Sequence, residues 1–249
     1  ILWLLLFLAL FSYEPALREY SKGLVLLGLA IGLLHMAIVF NVALMTTGLG
    51  RTPYSLTPLG LVINTFLVYS RILGVEFSRT LIINRLSRRP VIAIAIATLV
   101  FSLIAISPQS VLALKDAKDA MIFLASRALP LIAQSALASY LVLIGGPWTS
   151  IAYMAVIESV MHYSPYLPSM NWMMSSLVGV IAPIIGFIAI SMAISSCLSR
   201  LRRSHIKLKS SIKRSSSTLI AIGALLLLMW AFIGAVSYTH LTLPTTERV

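Results

Sequence analysis

Carboxylates and cysteine are scarce in this chain. Of its 249 residues only seven are Asp or Glu, and the single cysteine is Cys197. One thiol excludes both a disulfide framework and a cysteine-based metal site within the chain. There is no H-E-x-x-H run, and Glu76 has no adjacent glutamate of the kind a paired-glutamate membrane protease would use. The chain also lacks a G-x-S-x-G elbow, a Walker sequence and a glycine-rich phosphate loop. Nucleotide-driven and elbow-serine chemistry therefore have no residues to carry them, and no cofactor is expected. Strict alternation of apolar and polar residues is nowhere sustained, which excludes an outer-membrane barrel.

What the chain has in abundance is apolar side chains. Hydrophobic residues make up 59% and charged residues 10%, against roughly 45–50% apolar content in soluble domains. Apolar runs of 17 to 26 residues recur, close to the ~20 residues an α-helix needs to cross a bilayer. The expected fold class is all-α, a polytopic transmembrane helical protein of the cell membrane with membrane lipids as partners. The net charge of +12 would suit a nucleic-acid binder. The excess sits beside apolar runs, however, and no basic face interleaved with aromatics is present, so no nucleic-acid partner is expected.

The largest basic segment, 198–218, carries Arg200, Arg202, Arg203, Lys207, Lys209, Lys213 and Arg214 and no acidic residue. Between two apolar runs it reads as a cytoplasmic loop, because Lys and Arg near spans stay on that side. Attraction to anionic lipid, about 1 kcal/mol per basic residue near the surface, follows from the same placement. Oriented from this loop, the apolar runs give about eight crossings: an incomplete first one from Ile1, then 24–45, 59–83, 91–107, 121–144, 151–163, 173–198 and 219–235. Segment 151–163 is short and either crosses or re-enters. Crossing is favoured, since only then do the basic segments 85–89 and 198–218 share one side. Segments 46–58 and 165–172 read as external turns, and 108–120, with Lys115, Asp116, Lys118 and Asp119 in balance, as an external loop. Pro130 is expected to kink its helix. Residues 1–235 thus form one polytopic membrane domain. The remainder, 236–249, resembles the translation of a sequencing adapter in VSYTHLTLPT and is expected to be non-native, with an ordinary polar loop as the alternative.

Six polar residues in or beside the apolar runs are candidates for chemistry: Arg71, Glu76, Arg79, Arg127, Glu158 and His162. Glu76 and Arg79, at i,i+3, share a helix face. Two readings are open for them. Either the span ends near Val75 and these charges stand in the interface with Arg85, Arg88 and Arg89, or they form an internal ion pair facing other helices, since unpaired charge in hydrocarbon is costly. Arg127 can snorkel to the interface. Glu158 and His162, at i,i+4, suit a proton relay or half of a metal site, but no third zinc ligand is spaced to complete one. His35, alone in its span, reads most simply as a hydrogen-bonding partner of a neighbouring helix.

Four stretches resemble the multi-spanning amino-terminal region of some archaeal type I signal peptidases: GRTPYSLTPLGLVIN at 50–64, GVEFSRTLIINRL at 74–86, ASYLVLIGGPWTSIAY at 138–153 and YSPYLPSMNWMMSSLVGVIAPIIGF at 163–187. Together they cover just over a quarter of the chain, and none is a catalytic motif. The resemblance implies a final span leading to an extracytoplasmic domain, where a serine activated by a lysine or histidine cleaves signal peptides from preproteins. A free hydroxyl needs such a base at neutral pH. No residue here matches that serine or its base, so this chain is expected to be the membrane-embedded portion of such an enzyme, with preprotein signal peptides as partners. Two other classes remain open: a transporter or channel-like protein, in which the break at Gly145-Gly146-Pro147 and the intramembrane charges line a pathway, and a non-catalytic membrane assembly subunit.

Overall fold

The computed structural model describes residues 22–54, 57–112 and 114–203, with 195–203 as backbone only. Helices α1 (Lys22–Thr46), α2 (Pro58–Arg85), α3 (Pro90–Ala105), α4 (Pro108–Leu112), α5 (Ala117–Phe123), α6 (Leu129–Tyr163) and α7 (Trp172–Arg203) make up most of it, with two short strands, β1 (Leu49–Arg51) and β2 (Tyr166–Pro168). The protein is mostly helical. Proline opens α2 and α3, where its missing N–H would have had no helical partner in any case. Thr57 caps α2 through its Oγ1, which accepts from the Gly60 N–H at 3.3 Å.

Helix α6 cannot be one straight rod. Its Gly146 has φ 72° and ψ −171°, a left-handed backbone that glycine adopts without strain from a Cβ. Pro147 follows, and because it lacks an N–H it suits the start of a new helical arm. The Gln134 amide reaches the Met154 sulfur at 3.5 Å, whereas twenty residues of straight helix would hold them about 30 Å apart. Residues 129–145 and 147–163 are therefore two arms of a hairpin turning at Gly146.

The contacts of the hairpin fix the direction of every other long helix. Along the second arm, Tyr163, Ser159 and Glu158 meet Thr65, Tyr69 and Arg71, so α2 runs antiparallel to it. Gly28 and Gly32 of α1 lie against Thr149 and Val156, so α1 runs parallel to it. Thr98 of α3 meets Ser135 and Ser139, while Gly179 and Gly186 of α7 lie against Pro130 and Leu137 of the first arm. The end of α2, the start of α3, the Gly146 turn and the end of α7 consequently lie at one end of the bundle. At the other end β1 and β2 pair antiparallel, with Gly50 opposite Leu167.

Close packing depends on small residues. A Cβ on Gly28 would stand 2.2 Å from the Thr149 carbonyl oxygen, and one on Gly32 would stand 2.9 Å from the Val156 Cβ. Glycine four residues apart lets α1 press its backbone against α6, the packing device of membrane helices. The first arm of α6 is the centre of the core, with Leu137, Ala138, Ser139 and Leu141 fully buried. Outward faces stay apolar, as at Leu26 and Leu33 of α1, Phe66 of α2 and Leu99 of α3, which suits hydrocarbon rather than water as the surrounding medium.

Several expectations are corrected. The count of about eight crossings is not supported. Among the described residues four helical stretches are long and apolar enough to span a bilayer: Lys22–Thr46, Pro58–Arg85, Ala117–Tyr163 and Trp172–Ile194. The run read as 91–107 is the 16-residue α3, below that length. Runs 121–144 and 151–163 belong to one helical stretch that folds back on itself. A π-helical turn, Leu124–Ala128, ends two residues before Pro130, an irregularity of the kind that goes with a helix kink. The turns at 46–58 and 165–172 contain the two paired strands, and 108–120 contains α4 and the start of α5. The span at 173–198 continues as helix through Arg203, so the basic segment begins as helix and not as loop. Its remainder, 204–218, the run 219–235, the first run and the 236–249 tail lie outside the described residues.

Candidate functional site

Helix α2 carries its charges past Val75 into the middle of the bundle. It does not end there, and Glu76 and Arg79 do not stand in an interface: their side chains are 1% and 3% exposed. Of the two readings left open above, the internal ion pair is the arrangement present. Arg79 Nε lies 3.1 Å from Glu76 Oε2. That N–H is not aligned on the carboxylate, and Nε makes no hydrogen bond. The charges touch, but the bonding is delegated to neighbours.

Those neighbours are hydroxyls from α6. Arg79 Nη1 donates to the Ser135 carbonyl at 2.7 Å, to Ser139 Oγ at 2.8 Å and to Ser135 Oγ at 2.9 Å. Its guanidinium carbon also stands 4.8 Å from the centre of the Phe101 ring, within cation–π range. On the acidic side, Ser150 Oγ donates to Glu76 Oε2 at 2.5 Å. The two serines of the first arm and the one of the second reach a single ion pair because the chain turns at Gly146. Charge-assisted bonds of this kind are what makes a buried charge tolerable.

A second group stands nearer the paired strands. Arg71 Nη2 lies 2.6 Å from Glu158 Oε1, with side chains 49% and 18% exposed. Glu158 Oε2 is 3.4 Å from His162 Nδ1, and that nitrogen lies 2.9 Å from the Glu158 carbonyl oxygen. The His162 ring packs against Tyr54 with centroids 4.4 Å apart. Arg127, by contrast, is exposed in the π-helical turn and joins neither group. Five of the six candidates are thus brought to one side of the hairpin.

Between the two ion pairs lies a cavity of about 250 Å³, lined by Arg71, Glu76, Arg79, Gln134, Ser135 and Glu158 together with apolar side chains that include Phe101 and Met154. Glu76 Oε1 and Arg79 Nε, both fully buried, have no hydrogen-bond partner among the described residues. His35 lies elsewhere in the core, with Nδ1 2.9 Å from the Tyr153 hydroxyl. No group of three or more His, Cys, Asp or Glu side chains converges among the described residues.

Sequence reading did not single out Ser135, Ser139, Ser150, Gly28 or Gly32. Serine in an apolar run carries no mark of its partner, whereas the Gly28-x-x-x-Gly32 spacing was a signal available in the sequence. No protein-family model, curated protein or solved structure matches this chain.

Proposed function

We propose that this chain is the membrane-embedded portion of a signal peptidase I-like protein, a scaffold that holds a serine protease domain at the extracytoplasmic face. One observation carries the reading. The four stretches on which the resemblance rests lie against one another in pairs: 50–64 and 163–187 supply the strand partners Gly50–Leu167 and Arg51–Tyr166, and 74–86 and 138–153 supply Glu76, Arg79, Ser139 and Ser150 of the buried hub. A resemblance confined to surface loops would carry less weight than one built into paired backbone and a desolvated ion pair. Arg85, Arg88, Arg89 and the end of α7 lie at one end of the bundle, which by the positive-inside rule supports a cytoplasmic position for that end, with the paired strands outside.

The test is a longer read of the encoding DNA through and beyond the codons for 228–249. The expected outcome is a frame that leads from the 219–235 run into a Ser-Met type motif with a downstream Lys or His. A frame that keeps 236–249 and stops directly after Val249 sinks the proposal. Reporter fusions at Arg88 and Ser169 test the orientation separately: Arg88 should report cytoplasm and Ser169 the opposite side.

A second reading, a polar-solute transporter, is favoured by the interior cavity and the break at Gly146. Replacing Arg71 and Glu158 by alanine in the complete protein separates the two. Solute uptake lost with folding intact supports transport, and signal-peptide cleavage that persists leaves the first reading standing.

A further inference from the structure

We propose that the open pocket beside Arg127 holds a phosphate and ammonium zwitterion, the headgroup chemistry of an amine-bearing phospholipid. The inference goes beyond the peptidase reading and does not depend on it.

Arg127 is the one candidate residue that joins neither ion pair, and its surroundings form a site of their own. The pocket, of about 470 Å³, is lined by Ser107, Gln109 and Ser110, where α3 gives way to α4, and by Asp119, Ser126 and Arg127 of α5 and the π-helical turn, with Ile122 and Phe123 as its apolar part. Residues 119, 122, 123 and 126 recur at helical spacing, so this stretch turns one face to the pocket. The π-helical turn at 124–128 interrupts the regular helix there, and such turns are frequent at functional sites. Asp119 and Arg127 are both exposed, and neither makes an ion pair among the described residues.

The hydrogen-bonding atoms divide by kind. Ser107 and Ser110 join their hydroxyls, and two hydroxyls that share one hydrogen bond keep one O–H to donate. That proton, the Gln109 amide N–H₂ and the Arg127 guanidinium suit an anionic oxygen group, and the planar guanidinium favours the paired oxygens of a phosphate. Ser126 gives its proton to the Ile122 carbonyl at 2.7 Å, which leaves its oxygen as an acceptor, and the Asp119 carboxylate only accepts. An ammonium needs that pair. Because Asp119 and Arg127 do not pair with each other, an occupant that meets both carries separated charges of opposite sign.

Depth points to the source. At 1.5 Å per residue the helix from Arg127 to the Gly146 turn is about 28 Å long, close to the ~30 Å of bilayer hydrocarbon. Arg127 therefore stands at headgroup level when the turn reaches the opposite surface. One turn and more below Ser107, Ile96, Leu99 and Leu103 of α3 recur at helical spacing and are exposed, an apolar strip against which acyl chains lie.

The test uses the full chain, purified in a mild detergent and exposed to an equimolar mixture of phosphatidylethanolamine and phosphatidylglycerol with identical acyl chains. Native mass spectrometry then identifies the most firmly held lipid. Phosphatidylglycerol carries the same phosphate without the ammonium, so the ratio of the two reads the Asp119 contact. Phosphatidylethanolamine should be retained in excess, up to about fivefold, the ceiling for one exposed ion pair. Asp119→Asn should abolish the excess, and Asp119→Lys should invert it in favour of phosphatidylglycerol. Arg127→Gln should lower retention of both lipids by more than about tenfold, the scale of a lost hydrogen bond to a charged group. Should Arg127→Gln fail to fold, the inversion by Asp119→Lys still decides. O-phosphorylethanolamine, the same group without acyl chains, identifies the source: displacement of the lipid at equal concentration assigns a soluble ligand of this chemistry, and continued retention assigns the bilayer. Either result upholds the zwitterion site. Equal retention of the two lipids by the wild type, a ratio unmoved by both Asp119 variants, or retention unmoved by a folded Arg127→Gln overturns it.

Discussion

Arg71 and Glu76 leave α2 five residues apart and meet opposite surroundings. Glu76 pairs with Arg79 at 1% and 3% exposure, while Arg71 pairs with Glu158 from a side chain that is half exposed. In the first pair the surroundings cannot rearrange to screen a charge, so each partner depends on the other and on the serines of α6. In the second, Arg71 has alternatives outside the bundle. The same chemistry is thus a structural requirement at one site and an adjustable contact at the other.

The largest expected effect comes from removing half of the buried pair. Arg79→Ala or Glu76→Ala leaves an uncompensated charge in the core and should cost about 3–5 kcal/mol of stability. Unfolding by heat or denaturant in a mild detergent measures it. Combining Glu76→Leu with Arg79→Met removes both charges while keeping volume, and it should recover most of that loss. A double variant as unstable as the singles would show that the two residues do not act as a unit.

Smaller effects come from the walls of the same hub. Ser150→Ala removes the hydroxyl that donates to Glu76 Oε2 and should cost about 1.5–3 kcal/mol, the range for hydrogen bonds to charged groups. Gly28→Val acts one step further out. Its Cβ would overlap the Thr149 carbonyl oxygen, and overpacking of this kind costs about 1–3 kcal/mol. Because Thr149 adjoins Ser150, this variant should disturb the Glu76 side of the hub and spare Arg71–Glu158. A double-mutant cycle on Arg71 and Glu158 in the Gly28→Val background would check the sparing, with an unchanged coupling energy as the expected result.

The sequence made the helices and the break at Gly145-Gly146-Pro147 legible, because long apolar runs and a Gly-Gly-Pro interruption are local signals. It did not make the hub legible. Whether α2 ended at Val75 or carried Glu76 and Arg79 inward depended on which helices pack around it, and charge at the end of an apolar run is compatible with both. The serines were harder still: Ser135, Ser139 and Ser150 reach Arg79 and Glu76 only because the chain reverses between them. β1 and β2 were also missed, since three residues are too few to show a strand period and their pairing joins 49–51 to 166–168. The reversal also lowers the number of separate long helices, because one helical stretch, Ala117–Tyr163, contains both arms.

The smallest expected effect belongs to the open pair. Arg71→Ala leaves Glu158 with His162 as its remaining neighbour, 3.4 Å away, and Glu158 is itself 18% exposed. Exposed ion pairs typically contribute about 0.2–1 kcal/mol, so the variant should lose no more than about 1 kcal/mol by that standard. Salt sharpens the contrast: the wild-type increment over Arg71→Ala should shrink as ionic strength rises, because screening reaches an exposed pair. The increment over Arg79→Ala should stay nearly constant, because a pair with side chains 1% and 3% exposed is screened far less. If both increments fall together with salt, the buried pair is reached by solvent along its whole length, and the distinction drawn between the two sites fails.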